Sequence, residues 1–323
     1  MFEDFDNIPE SDVPQGRAAL KRVLKKRGWK NIKILYTNKL FIVATRPDGK
    51  EIRFCSEIPP TTSYNAATIA GDKFATYAFL KDIPNVKQPE TLLLKFPNEP
   101  EKELNLCQKL LENYSTIVLK PINGSHGNNV CMNIKDVESV KKAIAKIRNT
   151  DRMLPIVAQQ QLESGHDARA ICINYKFIAA YSRTPAEVTG DGKHTLAELI
   201  DIENNTIRTD AYFSDLSKIN KDVALDYLKG QTEYVPKAGE KIQVIPVCNT
   251  GQGGTIKEIT NDFPEEQKCL SERIARYLEL PLIGIDFLDN YVIEVNKSPA
   301  LFHEKDGHTI CLEKLAEYLE TIV

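Results

Sequence analysis

The sequence predicts an α+β fold with antiparallel sheets in more than one lobe, and three observations carry that prediction. Short runs rich in Val, Ile, Leu and Phe alternate with helical stretches, without the regular period of a barrel. No G-x-G-x-x-G fingerprint is present, which argues against a Rossmann domain. Turn chemistry joins neighbouring strands directly, at Pro47-Asp48-Gly49-Lys50 and at Asp289-Asn290. At 323 residues the chain has room for two or three lobes with cores of their own.

Composition sets the class. With 42% hydrophobic and 27% charged residues and a net charge of -3, the chain reads as an ordinary soluble globular protein. No run reaches the length of a membrane span, and the acidic first residues lack the basic and apolar regions of a signal peptide. Seven cysteines, an odd number with no CxxC pair, predict neither a disulfide framework nor a zinc site. The expectation is a cytoplasmic protein whose cysteines are small core residues.

The elements follow in order. Residues 1–12 carry Glu3, Asp4, Asp6, Glu10 and Asp12 and no base, whereas residues 16–33 carry eight Lys or Arg and no acid. Ala18, Leu20, Val23 and Leu24 give the basic segment an apolar stripe, which predicts an amphipathic helix ending at Gly28. Such a face can bind nucleic acid, but with an acidic neighbour to offset it a solvated face is the plainer reading. Strands are expected within 32–55, a helix over 63–81 and another over 101–113. Residues 116–121 and 130–134 read as strands flanking the loop Asn123-Gly-Ser-His-Gly-Asn-Asn129. A small, flexible loop of this kind lets backbone N–H groups approach phosphate, although the P-loop pattern GxxxxGK[ST] is absent.

Further on, a helix is expected over 136–148, then a strand over 155–162 that ends in three glutamines, an edge or a nucleotide-contacting segment. A hairpin about Tyr175-Lys176 pairs 169–174 with 177–183, placing Arg169 and Arg183 toward a cleft. Helices over 195–204 and 215–229, a strand over 241–247 and a second glycine-rich loop over 249–255 precede a helix over 264–280. A last amphipathic helix is expected over 309–323.

The closing hairpin, LIGIDFLDNYVIEVNKSPALFHE over 282–304, sets three polar residues into apolar runs: Asp286, Glu294 and Asn296. A carboxylate in an apolar strand is costly unless it is paired or bound to a cation. Two carboxylates and an amide oxygen are hard ligands suited to Mg2+ shared with substrate phosphates. The plainer alternative is a hairpin with a solvated polar face. A shared metal also makes a demand on register. A two-residue turn at Asp289-Asn290 would set Asp286 opposite Ile293, so a longer odd loop or a bulge is required to bring it opposite Glu294.

Five segments, AATIAGDK (66–73), LKPINGSHGNNV (119–130), the 164–201 stretch from SGHDARA to LAELID, NTGQGGT (249–255) and GIDFLDNYVIEVNKSPALFH (284–303), together resemble the ATP-grasp superfamily. Within it they are similar to the ATP-grasp domains of cyanophycin synthetases and of bifunctional glutathione synthetases. The resemblance implies ATP held between two antiparallel-sheet lobes, over 61–162 and 163–323, behind a small α/β region over 1–60. It implies nucleotide contacts from Lys73, Lys120, Gly124, Ser125, His126, Gly127, Gln159, Gln160, Leu162 and Arg169, catalytic roles for Arg183 and Lys257, and Mg2+ on Asp286, Glu294 and Asn296. Asn129 stands where the loop's last glycine is usual, and Gln159 where a nucleotide-contacting glutamate often sits.

The implied activity is ATP-dependent ligation of a carboxylate to an amine, between amino-acid or peptide substrates, through an acyl phosphate. The alternatives are a phosphotransferase on the same nucleotide site, or a nucleotide- or peptide-binding protein with a decayed site. No membrane or nucleic-acid partner is expected, and a homo-oligomer is left open.

Overall fold

The structure, a computed structural model, describes every residue except 1, 10, 11, 14, 36–40, 125–128, 150, 164, 208–217, 249–251, 302–309 and 323. The chain opens with strand β1 (Phe2–Asp4), helix α1 (Gln15–Lys26), and strands β2 (Lys30–Leu35), β3 (Phe41–Thr45) and β4 (Glu51–Cys55), which form an antiparallel sheet in that order. Gly28, at φ 84°, takes the left-handed turn that ends α1 and sends Trp29 into the core. Part of the basic charge on and just after α1 is met from within. Lys21 and Lys25 pair with Asp6, while Arg27 bonds Glu320 at 2.6 and 2.9 Å and Glu313 at 3.4 Å. Of the acidic neighbours in residues 1–12, Asp6 pairs with this helix.

Residues 63–81 form two helices rather than one, α2 (Tyr64–Gly71) and α3 (Lys73–Leu80). Asp72 breaks them. Its backbone N–H bonds Ile69 O as α2 ends, and its carboxylate accepts from Ala75 N as the N-cap of α3. Next come β5 (Thr91–Leu94), α4 (Pro100–Tyr114), β6 (Ile117–Pro121), β7 (Cys131–Ile134), α5 (Val137–Ile147) and β8 (Ile156–Gln160). The sheet order is β5-β8-β6-β7, all antiparallel. Leu94, Ile117, Leu119, Ile156 and Ala158 pack on one face against α4 and α5. Alternation therefore turns Lys120 and Gln159 to the other face.

The second large sheet begins with β9 (Asp167–Ile173) and β10 (Lys176–Thr184), joined at Asn174-Tyr175 with φ of 50° and 61°. This is one residue earlier than expected, because Asn accepts the left-handed conformation more readily than Lys. A small unit follows: β11 (Glu187–Thr189), α6 (Leu196–Ile202) running into a π-turn, α7 (Lys221–Tyr227) and β12 (Lys241–Gln243). Only Lys221–Tyr227 of the helix expected over 215–229 is helical among the described residues, and the strand expected over 241–247 stops at Gln243. Then come β13 (Thr255–Glu258), α8 (Glu265–Tyr277), β14 (Leu282–Leu288), β15 (Tyr291–Asn296) and α9 (Ile310–Thr321). The sheet order is β13-β10-β9-β14-β15.

The two faces of this sheet differ. Ala170, Cys172, Ala180, Ile283, Ile285 and Phe287 pack with residues of α8 on one. The other changes character along the strands. Ile171, Ile173, Ala179, Tyr181 and Leu282 join the core built by α1, the N-terminal sheet and α9. At the opposite end of that face stand Asp167, Arg169, Arg183 and Asp286.

Candidate functional site

The hairpin β14–β15 closes on the two-residue turn Asp289-Asn290, and a bulge follows. Leu288 pairs with Tyr291 and Phe287 with Val292, but Asp286 pairs with Glu294, leaving Ile293 unopposed. The extra residue resets the alternation, so Val292 enters the core while Glu294 lies directly across from Asp286. Gly284 faces Asn296 two steps on. The register that a shared metal demands is therefore present.

Asp286 is 3% exposed and fully partnered. Arg169 Nε and a terminal nitrogen donate to its two oxygens at 2.6 and 2.8 Å, Arg183 donates at 3.2 Å, and Asn296 Nδ2 lies at 3.4 Å. Burial works to raise its carboxyl, but the two guanidiniums overcome it and hold the group below the ordinary carboxylate range. Arg183 also donates from Nε to Asp167 at 2.5 Å. Burial pushes Asp167 up to about 6 against the pull of Arg183. Arg169 thus braces Asp286, and Arg183 is fixed between two carboxylates.

The other lobe faces this cluster. Lys73 leaves the first position of α3, donates to Gly124 O at 2.9 Å and lies 3.4 Å from Glu294. Its backbone N–H bonds Ile122 O, so the broken helix docks on the strand that leads into the glycine loop. Lys120 donates to Gln159 Oε1 at 2.8 Å, and Gln159 in turn donates to Thr91 Oγ1 at 2.9 Å. Burial pushes the Lys120 ammonium down to about 8, against the opposing pull of Glu294. Lys73, Thr76, Tyr77, Gln88, Lys120 and Gln159 line one side of a cleft of about 20 Å³, and Val292–Val295 line the other. Four cationic side chains here meet three carboxylates, so the cluster holds one positive charge in excess and suits a polyanion.

Residues 96–210 match the family described as prokaryotic glutathione synthetase, ATP-grasp domain. The chain is 28% identical over 250 residues to cyanophycin synthetase of Crocosphaera subtropica, covering 72% of this chain and 28% of that protein. It is 24% identical over 274 residues to the glutathione biosynthesis bifunctional protein GshAB of Clostridium perfringens, covering 79% and 34%. This chain thus spans about a third or less of the length of these relatives. Among solved structures, it is similar to a bifunctional glutathione synthetase from Pasteurella multocida, with a TM-score of 0.54, 20% identity, and coverage of 89% of this chain and 40% of that one. The fold is ATP-grasp. D-cycloserine synthetase DcsG has the same fold at a TM-score of 0.51 and 12% identity, covering 80% and 72%.

The ATP-grasp cleft gathers most of the residues singled out in the sequence: Lys73, Lys120, Gly124, Gln159, Arg169, Arg183, Asp286, Glu294 and Asn296. Ser125, His126 and Gly127 lie outside the described residues. Gln160 turns its amide oxygen to Glu90 N at 3.2 Å, bracing the end of β8, and Leu162 lies in the connection from β8 to β9. Lys257 stands apart from the cluster. It pairs with Ser182 on the exposed edge strand β13, and alternation puts it on the face away from Arg183. Asp167 was missed, although an acid that opens an apolar strand two residues before Arg169 is a readable signal.

Proposed function

We propose that this chain is an ATP-dependent carboxylate–amine ligase that joins amino-acid or peptide substrates and releases ADP and phosphate. The observation that carries the proposal is the cleft itself, where Lys73 and Lys120 on one lobe face Asp286 and Glu294, paired across one register, on the other. The relatives named as synthetases support it.

A carboxylate oxygen of the first substrate attacks the γ-phosphorus of ATP, and the bond to the β-phosphate oxygen breaks, giving an acyl phosphate and ADP. The amine of the second substrate attacks the acyl carbon, phosphate leaves with the electron pair, and the nitrogen sheds a proton to form the amide. Lys73 and Lys120 exchange their present partners, Gly124 O and Gln159 Oε1, for phosphate oxygens. Arg183, fixed by Asp167 and Asp286, meets the charge that develops on the transferred phosphoryl group.

The donor set fits Mg2+. Asp286 is held ionised, Glu294 lies across from it, and Asn296 keeps Oδ1 as an acceptor while Nδ2 donates. The ion bound there would neutralise phosphate charge. The cleft as it stands has room for about one water, so a nucleotide enters only as the lobes part or the lysines move.

We also assign residues 1–60, 61–162 and 163–323 to an N-terminal region and two ATP-grasp lobes. We also propose a cytoplasmic protein without a nucleic-acid partner; the pairing of Lys25 with Asp6 and of Arg27 with Glu320 leaves less free basic charge for a polyanion. Among the described residues, no helix is long and apolar enough to cross a membrane.

The test is chemical trapping. With Mg-ATP, the carboxylate substrate and hydroxylamine, the wild type should yield a hydroxamate. Glu294→Gln should abolish the product while the protein stays folded. AMP and pyrophosphate as products would overturn the mechanism, and ADP release with no amine-dependent product would favour the phosphotransferase.

A further inference from the structure

Among the described residues, two buried side-chain polar atoms find no hydrogen-bond partner: Arg17 Nε and Thr62 Oγ1. Both lie on segments that meet where the N-terminal region joins the ATP-grasp lobes. Arg17 stands in the first turn of α1, and a terminal nitrogen bonds Ser56 Oγ at 2.6 Å. Glu57 follows Ser56 and accepts from the Ser298 hydroxyl. Burial raises the Glu57 carboxyl, and the nearby Arg17 guanidinium pulls it back. Ser298 lies two residues beyond Asn296, at the end of the metal-ligand strand, and is exposed. Its neighbour Lys297 bonds Ala67 O at 2.9 Å, so α2, which the 56–63 loop enters, is tied to the same point. The Arg17 guanidinium and the Glu57 carboxylate therefore lie within electrostatic reach of each other, largely buried, with Ser298 as the exposed member of the joint. An incompletely bonded buried arginine donor is set for an anion, and an incompletely compensated carboxylate for a cation. A free α-amino acid carries both charges, on groups attached to one carbon.

We propose that this joint is the subsite for the amine substrate, an α-amino acid whose carboxylate is taken by Arg17 and whose ammonium is received by Glu57 beside Ser298. The proposal rests on the ligase reading above and assigns the N-terminal region a part in substrate selection.

Its test separates the two. The proteinogenic L-amino acids and their dipeptides are screened singly with Mg-ATP and hydroxylamine to find the carboxylate substrate, then pairwise by amide formation to find the amine substrate. Hydroxylamine is too small to need the subsite. Arg17→Lys, Arg17→Ala and Glu57→Gln should therefore keep wild-type hydroxamate yield and Mg-AMP-PNP affinity, while KM for the amino-acid amine rises about tenfold or more. Amidation of that substrate's α-carboxylate should weaken it on the wild type and make little difference on Arg17→Ala. Unchanged KM in the variants, or an amidated substrate as good as the free acid, overturns the subsite and leaves the ligase reading standing. A wild type that gives no hydroxamate from any of these compounds overturns the ligase reading and the subsite with it.

Discussion

Lys120 is next to last in β6, with its ammonium turned into the cleft, away from α4 and α5, and bonded to a neutral amide rather than a carboxylate. Its position in the sequence, a lysine closing an apolar strand before Pro121, already marks it as waiting for an anion. Burial lowers its pKa from the ordinary 10.5 to about 8. Between those values the unfolded chain holds a proton that the folded chain has released. The unliganded protein therefore gains stability as pH rises from about 8 toward 10.5, and below about 8 it carries the burial penalty in full. Bound phosphate has the opposite requirement, since it needs the charged form. Affinity for Mg-AMP-PNP should fall as pH passes about 8, by up to about tenfold per pH unit, and Lys120→Met should weaken binding and flatten that profile. A wild-type profile with no inflection above neutral pH would show that Lys120 does not meet the nucleotide. The same residue-level logic singled out Asp286 and Glu294, because a carboxylate within an apolar strand has to be explained. It gave no guide for Lys257, whose side chain is on an exposed edge where a lysine costs nothing.

Two elements decide whether those residues can act together, and they were not equally legible. A longer odd loop or a bulge follows from the sequence once Asp286 and Glu294 are required to share a face, since a two-residue turn alone would separate them, and the structure takes the bulge, at Ile293. The break between α2 and α3 does not, because apolar spacing runs through residues 63–81 and an Asp in mid-helix looks solvated. Tertiary contact decides it: the backbone N–H of Lys73 is used by Ile122 O, and Asp72 supplies the cap that a new helix start needs. Asp72→Ala should therefore cost about 1 kcal/mol of stability. It should also raise the dissociation constant for Mg-AMP-PNP by loosening Lys73, and Asp72→Asn should restore both. Denaturant titration and calorimetry would read the two effects. Lost stability with unchanged nucleotide affinity would show that the cap does not serve Lys73.

At the scale of the whole molecule, the sequence showed lobes but not how they share a core. Hydrophobic patterning locates strands and helices, whereas which apolar face meets which is a long-range outcome that periodicity does not record. The N-terminal sheet and α1 do not bury their apolar side chains alone. Phe5, Leu20, Leu24, Trp29 and Ile34 belong to one cluster with Ile171, Tyr181, Leu282, Leu312 and Leu315. That cluster covers the apolar end of the face whose other end carries Arg169, Arg183 and Asp286. The two halves of the face are joined by continuous strands, so support for one end fixes the geometry of the other. A chain beginning at Thr61 would expose several of these large side chains, each contributing about 1.5–3 kcal/mol when fully buried. Each lost kcal/mol lowers the melting temperature by about 2–4 °C in chains of roughly 150–250 residues, and by somewhat less in a longer one. The shortened protein should melt more than about 10 °C below the full chain, bind a hydrophobic dye at room temperature and lose affinity for Mg-AMP-PNP. A soluble shortened chain with the full-length melting temperature and nucleotide affinity would show that the N-terminal region is a separate module, and that Asp286 and its arginines stand without it.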